Sequence, residues 1–121
     1  MKAINLQKKH ASFTKQWHPH RIATVDTMQV LLAKLEGEFV WHSHDDEDEL
    51  FQVLKGTLYM RFRDRTEIVK EGEIIVVPKG VEHNPMTKND EEVHVLLFEK
   101  LSTAHTGNIK DDKTQTKYPE I

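Results

Sequence analysis

His42-Ser43-His44-Asp45-Asp46-Glu47-Asp48-Glu49 and Pro78-Lys79-Gly80-Val81-Glu82-His83 are the two stretches that decide how this chain reads. Side chains alternate along a strand, so two histidines at i and i+2 point to the same face. Two neutral imidazoles side by side suit a first-row metal ion. A carboxylate nearby adds a charged oxygen and offsets the ion's charge. Within the acidic run Glu49 is the candidate, because it opens the next strand and its direction is set there. Asp45, Asp46, Glu47 and Asp48 read as loop. His83 follows a Pro-Lys-Gly stop and can close the site from a separate strand. Taken singly, each feature is ordinary. Most His-X-His pairs bind nothing, an acidic run is usually a solvated loop, and a histidine beside a turn is usually a hydrogen-bonded structural residue.

Outward from these stretches the chain reads as short strands. Thr27 to Leu35, Glu38 to His42, Leu50 to Leu54 and Val93 to Phe98 are rich in apolar and β-compatible residues. Thr57 to Arg63 alternates, with Leu58, Met60 and Phe62 on one face and Tyr59, Arg61 and Arg63 on the other. Asp64-Arg65 makes a turn into Thr66 to Val69. Ile74-Ile75-Val76-Val77 is apolar on both faces and stops at Pro78, which predicts a buried strand. Leu6, His10, Phe13 and Trp17 fall on one helical face, so Asn5 to Trp17 reads as a short helix that Pro19 ends. Many short strands with close turns predict an all-β barrel or sandwich. Residues 1–20 form its helical lead-in, 21–101 the barrel and 102–121 an irregular tail over the surface, all within one domain spanning 1–121.

The spacing of the site residues resembles the cupin family. His42, His44, Glu49 and Gly56 match its first motif, and Gly72, Pro78, Gly80 and His83 match its second without a gap. With each residue type near one in twenty, each match has chance odds of about one in a thousand after allowing for placement, and both in order about one in a million. Two positions depart from the pattern. Gly37 lies one residue closer to the first histidine than the family's leading glycine, and Thr87 stands where an asparagine often follows the last histidine. The resemblance is to compact single-domain bacterial cupins. It implies a jelly-roll β-barrel holding one divalent transition metal (Fe, Mn, Ni, Cu or Zn) on His42, His44, Glu49 and His83, with Glu49 also the candidate catalytic base. It does not deliver a reaction.

Other residues have plainer readings. Trp41 should point outward if His42 points in. His18-Pro19-His20 is a second histidine pair, but the proline disfavours a regular central strand. His94 lies in an apolar strand, either behind the site or buried with one hydrogen bond. Arg61 and Arg63 should coat the solvent side. Gln29 and Gln52 are possible pocket residues, and Lys79 and Glu82 rim residues.

The chain has 121 residues, a formal net charge of -3 and no cysteine. The charge argues against a nucleic-acid surface. The missing cysteines exclude disulfides and thiolate metal sites and fit a cytoplasmic protein. No apolar run has the length of a signal peptide or a membrane span. The expected partners are a small-molecule ligand or substrate and, by analogy with small cupins, a second copy in a homodimer. The expected function is a metal-dependent small-molecule enzyme of oxygenase or isomerase type, or else a non-catalytic barrel that binds a sugar-like ligand.

Overall fold

The computed structural model describes residues 1–115 and 117–121. Strands β1 (His20–Val25), β2 (Met28–Leu35), β3 (Glu49–Lys55), β4 (Leu58–Phe62), β5 (Thr66–Val69), β6 (Ile74–Val77), β7 (His83–Met86) and β8 (Val93–Lys100) follow one helix, α1 (Leu6–Ala11). One sheet has five strands in the order β1-β2-β8-β3-β6, the other three in the order β5-β4-β7. All these ladders are antiparallel. The chain crosses between sheets after β3, β5, β6 and β7, as in a jelly roll. The all-β expectation holds.

Alternation builds the interior. Leu31, Ala33 and Leu35 of β2, Phe51 and Val53 of β3, and Val93, Val95 and Leu97 of β8 face inward from one sheet. Leu58, Met60 and Phe62 of β4 face them from the other. Gly56 takes φ +85° in the turn between β3 and β4, where an added Cβ would lie 3.0 Å from Val93 Cγ2. Glycine answers both the left-handed backbone and the close approach.

Four elements differ from the sequence reading. The helix is shorter than Asn5 to Trp17. Asn5 caps its start, accepting from the Lys8 amide at 2.9 Å. At its end the Ser12 hydroxyl donates to the Lys9 carbonyl at 2.6 Å, and Trp17 is left-handed at φ 56°. Tertiary stacking sets the path of that segment: His10 on His94, Phe13 on His20 and Trp17 on Phe39. Glu38 to His42 is not a continuous strand but makes two isolated bridges, Glu38 to Met86 and His42 to His83. Strand β1, which opens on His20 just after Pro19, lies outside the expected strands, whereas β7 is the separate strand expected to carry His83. Within β6 only Val77 is buried; Ile74 and Val76 are 57% and 49% exposed. β6 is an edge strand, and among the described residues none buries the outward side chains of Ile74 and Val76.

The tail is irregular but partly buried, with Thr103 and Thr106 enclosed. It ends beside β1, where the Arg21 amide donates to Pro119 O at 2.8 Å and the Ile121 amide to Arg21 O at 3.0 Å.

Candidate metal centre

His42 and His83 face each other through reciprocal backbone hydrogen bonds, His42 N–H to His83 O at 3.0 Å and His83 N–H to His42 O at 2.9 Å. That pairing sets their rings with centroids 4.2 Å apart. His44 follows two residues on, its carbonyl held by the Gly80 amide at 2.7 Å. Glu49 opens β3, with Val77 and Glu99 as its cross-strand neighbours. All four side chains are buried, and one ligand atom from each lies within 4.8 Å of the others. Glu49 Oε1 is 3.5 Å from both His44 Nε2 and His83 Nε2. The four expected residues are therefore brought together, and this cluster could hold a metal ion. Asp45, Asp46 and Asp48 are exposed, and Asp48 instead accepts from the Lys79 amide at 2.9 Å.

The donor chemistry fits a cation. His42 Nδ1 lies 2.8 Å from Val40 O and His83 Nδ1 2.9 Å from Val81 O. A carbonyl only accepts, so each Nδ1 carries the proton and each Nε2 keeps its lone pair. Both nitrogens of His44, His83 Nε2 and Glu49 Oε1 are buried without a hydrogen-bond partner. Buried polar atoms are rarely left so, because each costs about 1–3 kcal/mol. A metal ion held there would satisfy one nitrogen of His44, His83 Nε2 and Glu49 Oε1.

Electrostatics point the same way. Burial, with His83 close by, pushes His42 down to about 4, so it is neutral at physiological pH. Burial also opposes charge on His44, but the Glu49 carboxylate outweighs it and raises that imidazole. Glu49 feels the penalty of burial, yet His44 and His83 hold its carboxyl well below the usual range. Glu99, buried beside it, is pushed well above by burial and by the Glu49 charge. The two neighbouring carboxyls are thus pushed apart, Glu49 toward its charged form and Glu99 toward its protonated one.

Sequence reasoning missed Glu99, His105 and the tail. The signal for Glu99 was present: Val93, Val95 and Leu97 alternate inward, and Glu99 continues that period on β8. His105 comes from the tail, with its Nδ1 accepting from the Gln115 amide at 2.9 Å. Asn108 clamps the tail onto the residue between the two histidines. Its side-chain oxygen accepts from Ser43 N–H at 3.0 Å, and its amide donates to Ser43 O at 3.0 Å. A Cβ on Gly107 would stand 2.1 Å from Ser43 O, so only glycine lets the tail lie this close.

The remaining candidates sit elsewhere. Trp41 faces out, with the Arg63 and Arg61 guanidinium carbons 3.9 and 5.4 Å from its ring centre. Those arginines pair with Glu82 and Glu38 on the surface. His94 stacks on His10 and contacts Glu92 at 2.9 Å, away from the site. Gln29 is buried on the inner face, bonded to Arg21 at 3.0 Å. Thr87 bonds the other departing position: the Gly37 amide donates to its hydroxyl at 2.7 Å, and its own amide donates to Gly37 O at 2.8 Å. Threonine here ties down the loop that leads to His42.

A jelly roll that gathers three imidazoles and a carboxylate on its inner surface defines a barrel that could hold a metal ion. The chain belongs to the cupin family, whose cupin-domain model matches residues 28–99. It is 39% identical over 82 residues to "Uncharacterized protein YdbB" of Bacillus subtilis (strain 168), covering 67% of this chain and 66%, just under two thirds, of that protein. A crystal structure of a cupin-2 domain containing protein from Shewanella frigidimarina superposes with a TM-score of 0.79 at 46% identity, covering 81% of this chain and 94% of that one. Protein NMB1881 from Neisseria meningitidis gives a TM-score of 0.74 at 32% identity over 82% of this chain and 99% of that one.

Proposed function

We propose that this chain binds one divalent transition metal on His42, His44, Glu49 and His83 and acts as an oxygenase-type enzyme on a small, largely apolar molecule. The observation that carries this reading is the chamber beside the ligands. It is a cavity of about 40 Å³, room for dioxygen or the polar end of a substrate but not a whole organic molecule, lined by Trp17, Leu35, Phe39, Phe51, Pro85, Val95 and Leu97, together with His42, Glu49 and His105. No lysine or arginine lines it. A sugar phosphate would bring buried charge with no cation of the chain to meet it, which is costly. A small molecule with one or two oxygens and an apolar body needs no such partner. This ranks the oxygenase reading above the isomerase one.

A metal held there supplies a Lewis acid for a substrate oxygen and a binding position for dioxygen. The chain's residues do the rest. Val40 O and Val81 O fix the ring orientation of two ligands, the apolar wall excludes water, and His105 offers the remaining polar contact. Glu49 suits the role of ligand better than that of base, because its carboxyl is held low. Among the described residues no helix is long and apolar enough to cross a membrane, and the cysteine-free composition fits a reducing cytoplasm.

The test is oxygen uptake by the iron-loaded chain against a panel of catechols, flavonols, thiols and small diketones. Consumption of dioxygen with one of them, lost in His83→Ala, supports the proposal. No uptake, with saturable binding of sugars or sugar phosphates instead, would replace it with the binding-protein reading.

A further inference from the structure

The chamber beside the ligands is short of hydrogen-bond donors. Among the described residues that line it, Trp17 Nε1 already donates to Glu36 O at 2.9 Å, and the proton on His42 Nδ1 goes to Val40 O. Glu49, when ionised, only accepts. The other walls are apolar except for His105.

The tail fixes both the place of that ring and its proton. Asn108 and Gly107 seat the tail on Ser43, and Thr106, next to His105, is buried. The His105 ring packs 5.1 Å from Phe39, which itself meets the His42 ring at 5.4 Å, and stands edge-on to Tyr118 at 6.2 Å. The Gln115 amide donates to its Nδ1 at 2.9 Å. An amide N–H cannot accept, so Nδ1 holds the lone pair and Nε2 the proton. The Lys113 carbonyl also stands near the ring, but the Gln115 amide has the hydrogen-bonding geometry. Burial, first of all, holds this imidazole down to about 4, so at neutral pH it is an uncharged donor. His105 also lines the open groove on the outer side of the tail. It therefore stands between the chamber and solvent, where an entering molecule meets it. A ring that only plugged the barrel would be better made of phenylalanine, like Phe39 and Phe51 beside it, with no polar atom to desolvate.

We propose that His105 selects the ligand of this centre: its Nε2–H donates to an oxygen at the inner end of the molecule, favouring an enolate, carboxylate or carbonyl oxygen over a thiol or an ammonium group. A thiol sulfur accepts weakly, and an ammonium has no lone pair to offer. At about 40 Å³ the chamber admits only that polar end. The proposal rests on the reading of the four-residue cluster as a metal centre, but not on the oxygenase reaction.

Two measurements on the full chain test it. Imidazole nitrogen-15 spectra of the metal-free protein should show His105 with its proton on Nε2 at neutral pH. A proton on Nδ1, shared with Lys113, or an imidazolium would overturn the proposal. Azide, a small anion that accepts hydrogen bonds, then probes the cobalt-loaded chain, with ethanethiol as the comparison, and the visible absorption of cobalt reports both. Wild type, His105→Gln and His105→Phe should take up cobalt alike, because His105 is not one of the four clustered ligands. His105→Phe keeps a ring and loses the donor. It should bind azide about tenfold to a hundredfold more weakly, the loss of a hydrogen bond to a charged group. Its affinity for ethanethiol should change less than about threefold. His105→Gln, which restores an N–H donor, should recover most of the azide binding. Should His105→Phe not fold, the wild-type spectra still decide. Unchanged azide affinity in His105→Phe, or equal losses for azide and ethanethiol, would overturn the proposal and leave the metal centre standing. A wild-type chain that takes up no cobalt would remove the metal centre and this inference together.

Discussion

The sequence holds two His-X-His pairs, and the fold treats them differently. His42-Ser43-His44 turns its rings inward, against His83 and Glu49, and leaves ring nitrogens without partners. His18-Pro19-His20 turns its rings onto neighbours. His20 stacks on Phe13 with centroids 4.0 Å apart, and His18 meets the His20 edge at 5.2 Å and the Gln115 amide at 3.2 Å. No carboxylate joins them, and the only cluster of metal-ligating geometry among the described residues is the first. The difference teaches that spacing proposes a metal pair but the third and fourth groups decide it. His83 and Glu49 arrive from two other strands, and the second pair has no counterpart to either.

The largest expected effect separates the pairs directly. His83→Ala and Glu49→Ala should each weaken metal binding by more than about a hundredfold, beyond what losing a group that only hydrogen-bonds to a ligand costs. His20→Ala should leave it unchanged. Competition against a fluorescent chelator measures both, and equal losses would erase the distinction. A related contrast appears in melting. Metal at a hundred times its dissociation constant should stabilise the wild type and His20→Ala by about 2.7 kcal/mol and Glu49→Ala by no more than about 0.4 kcal/mol.

A smaller effect sharpens what the first pair owes to the tail. Asn108→Ala leaves the Ser43 amide without its side-chain acceptor, which should cost about 1–2 kcal/mol of stability. It should also weaken metal binding roughly tenfold by loosening the segment that aims His42 and His44. Unchanged affinity in a folded variant would show that the strands alone position the ligands.

The last expected effect is on pH and appears only below neutrality. Burial, first of all, holds His105 down to about 4, against an unfolded value of about 6.5. The folded imidazole is neutral and gains its proton on unfolding. Its contribution is therefore complete above about pH 6.5 and is lost as pH falls toward 4. Chemical denaturation of metal-free His105→Gln should show a shallower fall across that window than the wild type. An identical slope would place the ring in water.

Most of the site was legible because its geometry is local. Two residues apart on extended backbone means one face, so His42 and His44 could be paired from sequence. Glu49 could be chosen because a strand begins there, and His83 because Pro78 and Gly80 force a break before it. Glu99 was legible in principle, as the next inward position after Leu97. His105 and Asn108 were not, because an irregular tail has no period to say what it covers. The helix was read too long for a similar reason: the 3.6-residue spacing of Leu6, His10, Phe13 and Trp17 came from three separate aromatic stacks rather than one helical face. For β6 the apolar composition was read as interior, but the strand lies at the edge of its sheet and leaves Ile74 and Val76 in solvent.

Anomalous scattering from crystals of the chain grown with zinc or manganese tests the central claim most directly. One peak should lie about 2.0–2.3 Å from an imidazole nitrogen of each of His42, His44 and His83 and from a Glu49 carboxylate oxygen. A peak among His18 and His20, or four empty side chains in crystals that carry the ion elsewhere, would contradict it.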